Sequence, residues 1–425
     1  MTSVPGPTPC LRHRFLRFAV GLILLSTAAS AAPAASPDYR IQLDTIHSGY
    51  DGVHCWVHPR AGIIPTPGGT PIVVLTMMKL WLKGSDVFSP LSDMRTDDLG
   101  RTWSEPHEHT HALGERRAAD GTPIMPSDFW PAWHSKSGKL LGIGHTVYYD
   151  EKDGVRKVRK FRPRETSYSV YDPVQRTWSP WLALVMPDEP RFKNAGAGSV
   201  KRVDLPNGDI LLPIYHNEIG QTSSRVVVLR CKFDGTTLSV KEVGSEVAVP
   251  PGDEVVRGVG EPSLARIGSR FYLSLRQDLT GYVTSSNDGL HFDTPRPWTW
   301  DDGTNLGNYN TQTHWVTHND KLYLVYTRKG ANNDHVFRHR APLFMAEVDQ
   351  KRLVVIRATE RILVPERGAR LGNFGVTDIS ANETWVTVAE WMQTWGPNFI
   401  MPVDNKYGSN NSVYVAHIFW NATAK

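Results

Sequence analysis

The chain has 425 residues, of which 35 are Gly, 30 Pro and 14 Trp, with 21% charged side chains and a formal net charge of +4. With few long helical periodicities, that composition predicts many short strands and tight turns in place of a helical bundle. The net charge falls to +1 once Arg12, Arg14 and Arg17 of the N-terminal segment are set aside, which excludes a nucleic-acid partner on charge grounds.

Those three arginines precede the apolar run Phe18–Leu25 and the small residues Ala29, Ser30 and Ala31. This order is that of a cleavable secretory signal peptide over residues 1–31, and the run is too short to span a membrane. The mature chain is therefore expected to be secreted or periplasmic. Cys10 leaves with the leader, so Cys55 and Cys231 remain as one possible disulfide or as two buried thiols. No CxxC, HExxH or phosphate-loop pattern occurs, so neither a metal nor another cofactor is expected.

Trp56–Met77 predicts a strand, a Pro-Gly-Gly turn and a second β-branched strand, with Arg60 at the head of the first. Thr96–Trp103 then fits S/T-x-D-x-G-x-x-W, where hydroxyl and carboxylate hold a tight turn, Gly100 supplies a positive φ and Trp103 packs between strands. Strand–turn–strand segments follow at Asp128–His145, Asn194–His216, Gly258–Asp278, Tyr309–Thr327 and Gly372–Glu390. A shorter form of the Asp turn lies at Ser286–Phe292.

The matching positions Arg60, Trp130, Gly196, Glu261, Gln312 and Asn373 are separated by 70, 66, 65, 51 and 61 residues. An irregular repeat near sixty, each unit opening on a hairpin, predicts an all-β, six-bladed β-propeller of four-stranded antiparallel blades over residues 40–425. First strands would line a central axis, and their heads would meet at one mouth. Glu261 and Arg276, at opposite ends of one hairpin, are charges that a core excludes unless they are paired or functional.

Together these features resemble the sialidase (neuraminidase) superfamily, six-bladed propellers with Asp-box turns. The likeness covers roughly residues 40–420 and rests on Pro59–Pro65, the Thr96–Trp103 turn, Glu261 and Arg276. It implies an exo-glycosidase that removes a terminal carboxylate-bearing sugar from a glycoconjugate. Arg60, Arg276 and one of Arg338 or Arg340 would hold the carboxylate, because planar guanidiniums match it in charge and shape. Asp86, or Asp93 as second choice, would act as acid/base and Glu261 as base, while Glu390 would steady Arg60. Gln312 and His314 would face the mouth on the fifth inner strand.

One position departs from the pattern. The resemblance calls for a nucleophilic tyrosine sixteen residues before Glu390, where this chain has Phe374. Tyr309, Tyr282 or Tyr407 could supply the missing hydroxyl, or Glu261 or Asp378 could activate water directly. Two alternatives stay open: a lyase or other glycosidase acting on uronic-acid-containing glycans, with His314 and a tyrosine in acid–base roles, and a non-catalytic propeller that binds an acidic glycan. A monomer is expected. Trp130, Trp133 and Trp391 are sugar-stacking or packing residues, and the cluster Lys157–Lys160 is a solvated loop.

Overall fold

The computed structural model describes Gly6 and residues 38–82, 84–160, 163–249, 257–394 and 401–421. The expected leader falls outside these residues except for Gly6. The fold is an all-β propeller. In chain order, the first sheet runs His54–Ile64, Ile72–Trp81, Ser92–Thr96 and His107–Glu108, each strand antiparallel to the next. The inner strands of the following sheets are Pro123–His134, Ala195–Gly196, Gly260–Ile267, His314–His318 and Phe374–Ser380.

The expectation of four strands per sheet is corrected. The sheets hold four, seven, five, four, five and four strands, with a two-stranded ribbon at Gln393–Thr394 and Met401–Pro402. Extra strands arise where a long strand outruns its neighbour. Lys139–Lys152 pairs Thr166–Asp172 over its first part and Val155–Val158 over its last. The chain's first described strand, Tyr39–Ser48, pairs with its last, Ser412–Trp420, on the outer edge of the final sheet. Both ends of the described ring are thereby held in one sheet.

The apolar side chains lie between neighbouring sheets. Leu75 and Met94 of the first sheet meet Trp385 and Val415 of the last, and Trp298 packs edge-on to Trp315 across the fourth and fifth. Burying one such large side chain stabilises the fold by about 1.5–3 kcal/mol. Cys55 and Cys231 are buried and unbridged, and burial pushes each thiol up to about 12. No described helix is long and apolar enough to cross a membrane.

The turn after Ser92–Thr96 forms as its residues predict. The Thr96 hydroxyl donates to Asp98 at 2.8 Å and accepts from the Gly100 amide at 2.9 Å, while Asp98 accepts from the Thr102 amide and hydroxyl at 2.9 and 2.7 Å. Gly100 has φ 83°. Ser286 and Asp288 repeat the pattern with the Gly289 and His291 amides. These hydrogen bonds, first among them those from Thr102, lower the Asp98 carboxyl from 3.8 to about 2. A depressed carboxylate stabilises the fold above its unfolded value and loses that contribution as pH falls through the folded one. Asp98→Asn is therefore expected to flatten the acid limb of stability between pH 3.8 and about 2, read by denaturant titration at each pH.

Candidate functional site

Five inner-strand heads share a backbone feature. His58, Asp128, Ser199, Glu261 and Asn310 have φ of 58°, 51°, 58°, 43° and 51°, a left-handed conformation that costs a non-glycine residue energy. Three of them sit in bulges, where the register shifts between Val57 and Arg60, Ser127 and Trp130, and Gly260 and Ser263. Each bulge re-aims a polar side chain, and the first two bring His58 and Asp128 to 3.2 Å. The left-handed heads thus fall two residues before the positions expected at Arg60 and Trp130, because an inserted residue breaks the alternation there.

Arg60 is fully buried beneath these heads. Its Nη2 donates to Asp128 at 3.3 Å, Ser199 at 2.7 Å and Gln312 at 3.2 Å. Gln312 passes the network on by donating to the Phe374 carbonyl at 2.7 Å. His314 lies edge-on between Trp130 and Phe374, at 4.8 and 5.2 Å, and burial pushes its imidazole well below the ordinary range. Arg60, Gln312, His314 and Phe374 are fully buried and pack together as a floor under the inner-strand heads. The proposed hold of Glu390 on Arg60 is also corrected. Glu390 accepts from the Asn410 and Ser412 amides and the Tyr414 hydroxyl, with Arg367 3.5 Å away. Asp128 is the carboxylate beside Arg60.

Above this floor the guanidiniums gather. Arg276 pairs with Glu261 and donates to Asn310 at 2.7 Å, and Arg338 reaches the same Asn310 oxygen at 3.4 Å. Arg340 bonds the Asn310 carbonyl and donates to Asn373 at 3.2 Å. Arg338 and Arg340 do not lie on a strand. Arg338 lies in a 3-10 turn, Phe337–His339, with φ 56°, and both side chains still converge on Asn310.

Arg370, unnoticed in the sequence, completes the group. Its guanidinium lies 4.4 Å from the Trp391 ring centre and 4.6 Å from that of Phe337, and donates to Gln393 at 3.1 Å. Burial and then Arg338 bring Arg370 down to about 9, while burial and then Arg276 bring Arg338 down to about 10. Arg340 falls well below its usual value through burial and then Arg276, Arg338 and Arg370. Of the four, only Arg276 has a carboxylate ion pair among the described residues.

Asp86 has φ 57°, and its charge acts on His58, Arg338 and Arg370. Asp93 is held elsewhere, by the Trp178 indole at 2.8 Å and His109 at 2.9 Å. Among the tyrosines, Tyr282 is buried in the core, Tyr407 stacks on His335 and Tyr309 bonds His339 at 2.6 Å. Asp378 lies towards the opposite end of the inner strand from Phe374.

The sequence also gave no warning of His145 and Tyr215. The Tyr215 hydroxyl is 3.0 Å from His145 Nδ1, and His145 Nε2 is 3.4 Å from Asp128. His58 faces Asp128 at 3.2 Å and, through its other nitrogen, Asn373 at 2.8 Å. Among the described residues no His, Cys, Asp and Glu cluster is arranged to hold a metal ion.

No known family pattern and no curated protein matches this sequence. Solved structures do. A protein of unknown function from Dyadobacter fermentans aligns at 14% identity and TM-score 0.56, over 91% of this chain and 100% of its own. The K499G mutant of NanB sialidase from Streptococcus pneumoniae aligns at 11% and 0.58, over 87% of this chain and 70% of its own. Trypanosoma rangeli sialidase in complex with sialic acid aligns at 14% and 0.52, over 86% of this chain. This chain spans only 54% of that enzyme's length. At such identities the likeness speaks for architecture alone: this chain is a β-propeller with a sialidase-like fold.

Proposed function

We propose that the protein is a secreted, six-bladed exo-glycosidase that hydrolyses a terminal carboxylate-bearing sugar, sialic acid or a similar acid, from a glycoconjugate. One observation carries this reading. Arg276, Arg338, Arg340 and Arg370 converge on one mouth where, among the described residues, a single carboxylate, Glu261, is ion-paired to any of them. Buried guanidiniums that repel one another are costly in the free protein, and an anionic ligand relieves that cost. A sugar carboxylate offers two coplanar acceptors to such forks. Asp86 is the proton donor to the leaving oxygen and Glu261 the acidic partner across the mouth. The Thr96 and Ser286 turns are Asp-boxes in this reading, the protein acts as a monomer, and the leader directs export.

The test is a panel of 4-methylumbelliferyl glycosides of sialic, glucuronic, galacturonic and iduronic acids, with their neutral counterparts. Release from an acidic member alone, lost in Glu261→Gln, is the expected result. Release from neutral sugars at equal rate overturns the reading. An ultraviolet-absorbing unsaturated product from a uronic-acid polymer assigns a lyase instead, and binding without turnover assigns a lectin-like role.

A further inference from the structure

The hydrolase reading leaves the mouth without an evident reacting hydroxyl, since Phe374 is buried and has none. Resting on that reading, we propose that the Tyr215 hydroxyl is the nucleophile, with His145 as the base that takes its proton and Asp128 as the carboxylate that orients His145.

The three groups form one line. Tyr215 Oη meets His145 Nδ1 at 3.0 Å, and His145 Nε2 meets Asp128 Oδ2 at 3.4 Å. Asp128 is itself fixed by the Ser199 hydroxyl at 2.6 Å and by Arg60, and His58 and Arg60 help hold it well below the usual carboxylate range against its burial. A deprotonated Asp128 selects the His145 tautomer with its proton on Nε2. Nδ1 is then an acceptor, so Tyr215 donates to it. A hydroxyl, a base within hydrogen-bond reach and a third group orienting the base form the general pattern of an activated nucleophile.

The backbone makes room for this line. A Cβ at Gly198 would stand 2.6 Å from His145 Nδ1, the atom facing Tyr215, and one at Gly196 would stand 2.8 Å from the His145 Cβ. The Tyr215 ring lies against Gly260, where a Cβ would be 3.5 Å away, and burial raises its hydroxyl above the usual phenol range against the pull of Arg164 and Arg276, so the proton leaves only with a base in place. Tyr215 therefore stands beside the residue that opens the Glu261–Arg276 hairpin. Tyr309 has a similar chain through His339 to Asp334, but Asp334 is 95% exposed against 16% for Asp128, so water screens its hold on the imidazole.

In the first step the Tyr215 oxygen bonds the anomeric carbon as its proton passes to His145 Nδ1. The glycosidic C–O bond breaks with its electron pair on the leaving oxygen, which takes the proton of Asp86. In the second, water attacks the anomeric carbon and gives a proton to Asp86, while the tyrosyl oxygen departs and recovers its proton from His145.

The experiment uses the most active acidic glycoside of the panel and its fluorinated glycosyl fluoride as a trap. Tyr215→Phe is expected to lower kcat by about 10²–10⁴-fold, with binding of the free acidic sugar unchanged by titration calorimetry. Gly198→Ala, which displaces His145 alone, lowers kcat in the same sense, and Tyr309→Phe does not. Mass spectrometry of the trapped enzyme places the sugar on the peptide carrying Tyr215. An adduct on another peptide, or full turnover by folded Tyr215→Phe, overturns the role of Tyr215 and leaves the hydrolase reading standing. Sugar binding without turnover by the wild type overturns both. Nitrogen NMR of His145 in the free protein tests the line without substrate, and a proton on Nδ1 overturns it.

Discussion

Arg340→Met is expected to weaken binding of the acidic sugar by about a hundredfold without weakening the fold. Hydrogen bonds to a charged group contribute roughly 1.5–3 kcal/mol, and each 1.4 kcal/mol is tenfold in affinity. Two separable outcomes follow from the surroundings of Arg340. It is buried among Arg276, Arg338 and Arg370 and has no carboxylate ion pair among the described residues. Its charge is thus a burden on the empty site and an asset to the filled one. Denaturant midpoints of the free proteins should be equal or higher in the variant, while calorimetric affinity falls. Arg340→Lys should recover little, because an ammonium lacks the planar fork. A stability loss larger than the affinity loss would show that Arg340 is structural and would remove it from the site.

Asp128→Ala is expected to cost about 3–5 kcal/mol of stability, the usual penalty for removing one partner of a buried ion pair. Arg60 is fully buried and would be left with Ser199 and Gln312 as its neutral partners. Adding Arg60→Met should restore part of the loss, whereas two independent sites would add. The pH dependence has a definite sign. Burial holds His58 down at about 4 against an ordinary 6.5, so the unfolded chain takes up its proton first and stability falls as pH drops from 6.5 towards about 4. Asp128 is depressed, so its contribution holds above its unfolded value near 3.8 and is lost below it. Both slopes point towards acid lability, measurable by urea titration across that range.

The sequence carried the strand–turn–strand repeat, the two Asp turns and the pair Glu261–Arg276, since alternation, turn residues and an uncompensated charge are local signals. The site's floor was not legible. Arg60 looked like a ligand-binding arginine because the sequence does not show that Asp128, 68 residues away, lies beneath the mouth with it. The bulges hid His58 and Asp128, since an inserted residue leaves no mark in an apolar run. His145 sits mid-strand and Tyr215 next to last in Asp209–His216, and the approach of His145 depends on Gly196 and Gly198, glycines that read from sequence alone as turn or flexibility signals. Arg370 lacked any pattern. Its aromatic neighbours Phe337 and Trp391 are far from it in the chain, and only the fold brings the three together.

The pairing of Tyr39–Ser48 with Ser412–Trp420 has a temporal consequence. Of the described strands, the first waits for the last, and pairing between strands so far apart in the chain slows folding. Until Ser412–Trp420 is made, Tyr39–Ser48 has no neighbour in its sheet, and the ring stays unlatched.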